Sequence, residues 1–246
     1  MGKGARVCRH IAWLGEPRSL ASLLYDPPFA LVTQQWRARH QRTVTSNADG
    51  FGVGWYTEGR AAPLRHRRAI AMGEDAQFAI EAGSVCSPCF LGAIRHAYPA
   101  STIAESCTAP FRDGIWLFSH NGYVEPPELL ADLQRSESPV SESAAPVDSA
   151  ALFGMAVGNW RRGETLGDGL AAVINDLAGR STGPLNLLAV NGHEVAATAW
   201  GNSLFVKEDE RGVAVASEPY DEGCWRPVPD RSLVTVSRSC VKTGRL

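Results

Sequence analysis

A cysteine close to the start of the chain is the first residue with chemical promise. Cys8 opens a strand-like run, Cys8 to Leu14, behind seven residues that hold two glycines, two basic side chains and nothing to anchor a core. A cysteine at a chain start can be deprotonated by its own α-amine, whose unperturbed pKa of about 8 suits a base near neutrality. An internal cysteine would need a histidine partner, and no Cys-His pair stands out. A plainer reading, a small buried residue on the first strand, stays open on these residues alone.

The other reactive side chains promise less. Cys86-x-x-Cys89 has the spacing of a redox pair or half a zinc site. Such a pair needs a thioredoxin-like βαβ context or a second pair of ligands, and Cys107 and Cys224 are isolated. These read as ordinary cysteines at a strand entrance, so neither a metal nor a cofactor is expected. The histidines are scattered, and His193, just past a turn, reads as solvated. Arg65-His66-Arg67-Arg68 reads as a solvated hairpin face, with contact to an anionic substrate as the rival reading.

Composition bounds what these residues serve. With 246 residues, 44% apolar, 20% charged and a net charge of −2, the chain can bury a substantial core. Near-neutral charge leaves no electrostatic footprint for nucleic acid or an anionic membrane. No apolar run approaches the roughly 18 residues of a membrane span. Arg9 and His10 interrupt the only stretch that could resemble a signal peptide. Sparse cysteines fit a reducing compartment, so the expected location is cytoplasmic.

The elements that must carry the chemistry follow from pattern. Pro17 to Tyr25 reads as a short helix with proline at its first position, and Phe51 to Tyr56 as a strand with alternate glycines. Asp75 to Gly83 reads as a helix, Phe90 to Ala97 as a buried strand, and Ile115 to His120 as a strand ending in Asn121-Gly122. A helix covers Glu128 to Gln134, and the Ser/Glu/Pro-rich stretch Gln134 to Pro146 reads as a mobile loop. Helices at Val147 to Trp160 and Leu166 to Leu177 come next. Leu185 to Val190, Asn191-Gly192 and His193 to Trp200 form the strongest hairpin signal in the chain. A second hairpin, Ser203 to Glu208 with Val213 to Ser217, precedes a closing strand at Leu233 to Val236. Strands, helices, then strands again suit an α+β domain: two packed antiparallel sheets with helices outside.

Set against these elements, the candidate residues form an ordered series: Cys8-Arg9-His10, Asn47-Ala48-Asp49-Gly50-Phe51-Gly52, Arg95, Ser119-His120-Asn121-Gly122, and Asp148 in Val147-Asp148-Ser149. This series resembles the class II glutamine amidotransferases of the N-terminal-nucleophile hydrolase superfamily. Longer stretches, among them CRHIAWLGEPRSL, SNADGFGVGWY, APFRDGIWLFSHNG and ASEPYDEG, resemble the branch that acts on γ-glutamyl-hercynylcysteine S-oxide in ergothioneine biosynthesis. The resemblance implies a four-layer αββα sandwich and hydrolysis of a γ-glutamyl amide with release of glutamate.

It also implies roles. Cys8 would be the nucleophile, and the Asn121 amide and Gly122 backbone N–H the oxyanion donors. Arg95 would bind the α-carboxylate, where a bidentate fork fits. Asp148 would bind the α-ammonium, with a helix N-cap as the plainer reading of that residue. Gly54 and its neighbours would let a strand edge lie against the substrate. His96 and Ser217-Glu218 fall in matched stretches without an assigned role. Trp36, Trp55 and Tyr98 are available as aromatic faces for a quaternary ammonium.

One departure concerns the start. The family's nucleophile is the first residue, and an acylated α-nitrogen is no base. Residues 1–7 are therefore expected to be a removed propeptide or a misassigned start, the second being favoured with Val7 as the true initiator. Residues 8–246 would then be one amidotransferase-type domain. The expected partner is a small γ-glutamyl substrate, with no nucleic acid and no membrane. An alternative reading, a glutaminase subunit feeding ammonia to a separate synthase, would add that synthase as a partner. A third is an inactive γ-glutamyl-binding module.

Overall fold

The computed structural model describes residues 8–40, 46–97, 102–135, 140–238 and 240–246. The strands are β1 (Arg9–Ser19), β2 (Phe51–Trp55), β3 (Leu64–Arg68), β4 (Cys86–Ile94), β5 (Phe111–Asp113), β6 (Trp116–Gly122), β7 (Leu185–Val190), β8 (Glu194–Ala199), β9 (Phe205–Asp209), β10 (Gly212–Ala216), β11 (Arg226–Pro227), β12 (Ser232–Ser237) and β13 (Cys240–Arg245). The α-helices are α1 (Ala21–Leu24), α2 (Leu31–Arg37), α3 (Ala76–Ser84), α4 (Pro127–Arg135), α5 (Asp148–Arg161) and α6 (Leu166–Leu177).

Two antiparallel sheets form, one in the order β11-β9-β10-β1-β4-β2-β3 and the other β13-β12-β8-β7-β6-β5. Because side chains alternate across a strand, each sheet feeds two cores. Along β1, Ala12 and Leu14 meet Leu117, Leu188 and Ala197 between the sheets. Ile11 and Trp13 instead pack on Leu24, Leu31 and Phe78 of the first helical layer. On the far side, Phe118 and Leu187 pack on Leu152, Phe153, Leu170 and Ile174 of α5 and α6. The result is the expected four-layer αββα sandwich. Among the described residues, no helix is long and apolar enough to cross a membrane.

Several boundaries differ from expectation for identifiable reasons. Pro17 does not start a helix: β1 runs through it to Ser19, and only Ala21–Leu24 is helical. The register of β1 on β4 shifts between Leu14 and Arg18, so the ladder needs no N–H from Pro17. As expected, β6 ends in Asn121-Gly122, which are still paired with Asn186 and Leu185. β12 does not close the second sheet, since β13 pairs along its outer edge.

The expected mobile loop is held in its described part. Glu142 pairs with Arg65 at 2.6 and 2.8 Å and accepts from the Arg112 N–H at 2.9 Å. Arg67 is 3.5 Å from the same carboxylate, and His66 is 2.9 Å from Asp75. The basic cluster of β3 is thus answered by the protein's own carboxylates, which replaces both earlier readings of it.

Candidate active site

One end of the sandwich gathers the ordered series. β1 begins there, where Arg9 pairs with Ile94 at the end of β4 and Ile11 with Ala216 at the end of β10. β2 also begins there, and β6 of the opposite sheet ends there. Sheet alternation sends Ser119 and Asn121 of β6 toward β1, so His10 Nδ1 lies 3.3 Å from Ser119 Oγ across the sheets. His120 faces the other way, toward α5.

Cys8 immediately precedes β1 and is partly buried with a free thiol. Its Sγ lies 3.9 Å from the His96 carbonyl. Burial pushes the thiol pKa up, opposed by the His96 contact and by the positive charges of Arg95 and Arg9, while Asp148 reinforces the rise. At neutral pH Cys8 therefore rests as a thiol. Both Arg95 and Asp148 lie within electrostatic reach of it.

Arg95 follows β4 and is 8% exposed. Its N–H donates to the Gly50 carbonyl at 2.8 Å, its own carbonyl accepts from Asp49 N–H at 3.0 Å, and Nη1 donates to Thr102 O at 3.0 Å. Asp49 also accepts from Ala97 N–H at 2.8 Å. The Asn47–Gly50 stretch thus fixes the backbone on both sides of the guanidinium.

Asp148 is the first residue of α5, and Val147 occupies the N-cap position without a side-chain cap. The plainer N-cap reading is therefore corrected. Its carboxylate accepts from Val124 N–H at 3.0 Å and Ser149 N–H at 2.7 Å, and a negative charge in the first turn suits the helix dipole. His120 Nδ1 lies 4.0 Å from the same carboxylate and 3.3 Å from Ser149 Oγ. Burial lowers the His120 pKa, against the pull of Asp148 and the Pro184 carbonyl.

Asn121 is fully buried, and its Nδ2 donates to Ser217 Oγ at 3.2 Å. Gly122 is hemmed in by the Pro184 carbonyl, which accepts from Tyr123 N–H at 3.1 Å, and by His120 Nε2. Only glycine fits there.

Gly54 departs from expectation. It lies inside the first sheet, paired with Leu91 and Arg65, so it forms no strand edge. A β-carbon on it would meet Leu117 at 2.5 Å between the sheets. Leu91 in turn pairs with Ala12, four residues along β1 from Cys8. Gly54 makes room for sheet packing and is not brought to the thiol.

Of the aromatic candidates, Trp36 is 60% exposed on α2, Trp55 packs against Phe78, and Tyr98 lies outside the described residues. Cys86 is exposed and Cys89 buried, so that pair is split across β4. Burial takes the Cys89 thiol up to about 12.

Some neighbours carried no role in the sequence reading. Arg9 is buried, donates to the Cys8 carbonyl at 3.4 Å and lies 4.0 Å from the fully buried Glu218. Glu218 also accepts from the Arg39 and His40 N–H groups at 2.9 and 2.8 Å. Burial, His120 and Arg9 together take the pKa of His10 down to about 3. The available signal was adjacency: Arg9-His10 follow Cys8, and Ser217-Glu218 sit in the ASEPYDEG stretch.

Residues 21–222 match the family described as glutamine amidotransferases class-II. The γ-glutamyl-hercynylcysteine sulfoxide hydrolase of Mycolicibacterium smegmatis is 40% identical over 94% of this chain and 96% of its own length. The protein of that name from Mycobacterium tuberculosis (strain CDC 1551 / Oshkosh) is 39% identical over 96% of this chain and 95% of its own. A glutamine aminotransferase class-II domain protein from Silicibacter pomeroyi superposes with a TM-score of 0.71 at 23% identity, over 97% of this chain and 99% of that one. A glutamine phosphoribosylpyrophosphate amidotransferase from B. subtilis also gives 0.71, at 18% identity, over 97% of this chain but 49% of that one. These two structures share the fold.

Proposed function

The chain belongs to the class-II glutamine amidotransferase family, and from that premise we propose that it hydrolyses the γ-glutamyl amide of γ-glutamyl-hercynylcysteine S-oxide. The products are glutamate and hercynylcysteine S-oxide, a step of ergothioneine biosynthesis. The observation that carries this reading is the 40% identity to a hydrolase named for that substrate, sustained over 94% of this chain and 96% of the relative. The reading takes the mature chain to begin at Cys8 and residues 8–246 to act as one domain.

Chemistry then follows from the residues at the end of the sandwich. The α-amine of Cys8 takes the thiol proton, directly or through water, and Sγ bonds to the γ-carbonyl carbon. A buried thiol with a raised pKa calls for such a base. The oxyanion that forms is met by Asn121 Nδ2–H and the Gly122 N–H; loss of one such donor typically costs about 3–4 kcal/mol. The C–N bond breaks as the protonated amine gives its proton to the departing nitrogen. Water attacks the thioester, releasing glutamate and restoring the thiol.

The glutamyl head is a zwitterion, and Arg95 and Asp148 offer it opposite charges within reach of the same thiol. Arg95 takes the α-carboxylate, and Asp148, whose carboxylate is already oriented by the Val124 and Ser149 N–H groups, takes the α-ammonium. Glutamate release from γ-glutamyl-hercynylcysteine S-oxide and from glutamine, measured side by side, tests the assignment. The sulfoxide substrate should have the higher kcat/KM, and Cys8→Ala should release no glutamate while staying folded. Preference for glutamine would favour the ammonia-supplying reading.

A further inference from the structure

Ser217 stands at a break in the ladder between β10 and β1. Its N–H donates to the His10 carbonyl at 2.9 Å, as an antiparallel pair requires. The return bond is different. His10 N–H donates to the Ser217 hydroxyl at 3.0 Å, and the Ser217 carbonyl accepts from Ser203 Oγ at 2.8 Å. The side-chain oxygen has taken the place of a ladder carbonyl.

That exchange puts the hydroxyl where a second donor reaches it. Asn121 Nδ2, from the opposite sheet, donates to the same Oγ at 3.2 Å. One buried oxygen therefore accepts from the strand that carries the nucleophile and from the side chain that faces it. Two N–H donors fill both lone pairs of the hydroxyl. Neighbouring contacts hold it in place: Glu218 is locked onto Arg9, Arg39 and His40, and Asn202 Nδ2 donates to the Asn121 carbonyl at 3.1 Å.

We infer that Ser217 is a positioning residue that sets the Asn121 amide relative to Cys8, a role that rests on the oxyanion function proposed above for Asn121. The amide nitrogen has two hydrogens. Ser217 accepts one and fixes the amide plane; the other stays aimed at the developing oxyanion. Because the same oxygen is bound to His10, two residues beyond the nucleophile, it ties the strand of the attacking sulfur directly to the oxyanion donor, beside the His10–Ser119 contact across the sheets. Donors fixed in advance of the reaction stabilise charge without reorganising, so losing the anchor should slow the chemical step more than it weakens substrate binding.

A double-mutant cycle on glutamate release tests this, with γ-glutamyl-hercynylcysteine S-oxide as substrate. Ser217→Ala should lower kcat about 10–100-fold and move KM less than about threefold. Asn121→Ala alone should lower kcat about 10²–10³-fold. Adding Ser217→Ala to Asn121→Ala should change kcat less than about threefold, because the anchor then has nothing to hold. Ser217→Cys, close in volume and a weak acceptor, gives the same cycle should Ser217→Ala fail to fold. Wild-type kcat in a Ser217 variant overturns the inference, as do losses that multiply with Asn121→Ala or an effect confined to KM. An Asn121→Ala enzyme with undiminished kcat removes the oxyanion reading itself, and the inference with it; multiplying losses remove the inference alone.

Discussion

The carbonyl oxygen of Pro184 occupies the space that a β-carbon on Gly122 would need. That oxygen cannot retreat freely, because Tyr123 N–H donates to it at 3.1 Å and His120 Nε2 lies 3.3 Å away. The Gly122 N–H therefore points in a direction fixed by strand pairing and by this close approach together. Gly122→Ala forces the backbone apart at a cost on the order of 1–3 kcal/mol or more. The expected outcome is a Tm lower by several degrees and a kcat reduced at least about 10²-fold, as for loss of an oxyanion donor. Thermal melts and glutamate release on the same preparation check both.

Asp148 and Arg95 are predicted to act on binding. Asp148→Asn keeps an acceptor for Val124 N–H but removes the charge offered to the α-ammonium. A charge-assisted hydrogen bond contributes about 1.5–3 kcal/mol, so KM should rise about 10–100-fold while kcat falls less. Arg95→Lys should behave similarly, since a point charge does not replace a bidentate fork. Steady-state kinetics separate KM from kcat. A kcat effect with unchanged KM would contradict the binding role.

Those two residues also show what the sequence made legible. Their identities, with Cys8, Asn121 and Gly122, came from an ordered series of short motifs, and the fold brings that series to one end of the sandwich. Strong patterns held: α5, α6 and the β7–β8 hairpin lie where periodicity and Asn191-Gly192 put them. Pro17 misled because a proline at a register shift looks the same in sequence as one at a helix start. Gly54 misled because a glycine that admits Leu117 looks the same as one that admits a substrate. Ser217 could not be placed, since its partners Asn121 and His10 lie 96 and 207 residues away.

His10 makes stability pH-dependent. Burial, with His120 and Arg9 nearby, takes its folded pKa from 6.5 down to about 3. Between those values the unfolded chain binds the proton and the native state does not. Stability is therefore fully present above pH 6.5 and is lost as pH falls toward 3. Between pH 6.5 and 4.5 the expected loss from this residue is about 2 kcal/mol. Urea unfolding at the two pH values should show that loss shrinking in His10→Gln, with the His120 contribution left in place. An unchanged difference would contradict a neutral buried His10.

Glu142 should matter for stability and not for chemistry. Burial pushes its carboxyl pKa up, but the Arg65 hydrogen bonds, the Arg112 N–H and the charges of Arg65 and Arg67 hold it below the usual range. Glu142→Ala leaves two largely buried arginines without their partner, at a cost of about 1–3 kcal/mol. Chemical denaturation should register that loss while kcat/KM for glutamate release stays within about twofold.

Whether Cys8 acts as an N-terminal nucleophile is decided by intact-mass measurement of the protein made from its native gene, paired with glutamate release by that same sample. The expected result is an active protein whose chain begins at Cys8, with a free α-amine beside the thiol. Full activity in a chain that still carries residues 1–7 would contradict the N-terminal nucleophile.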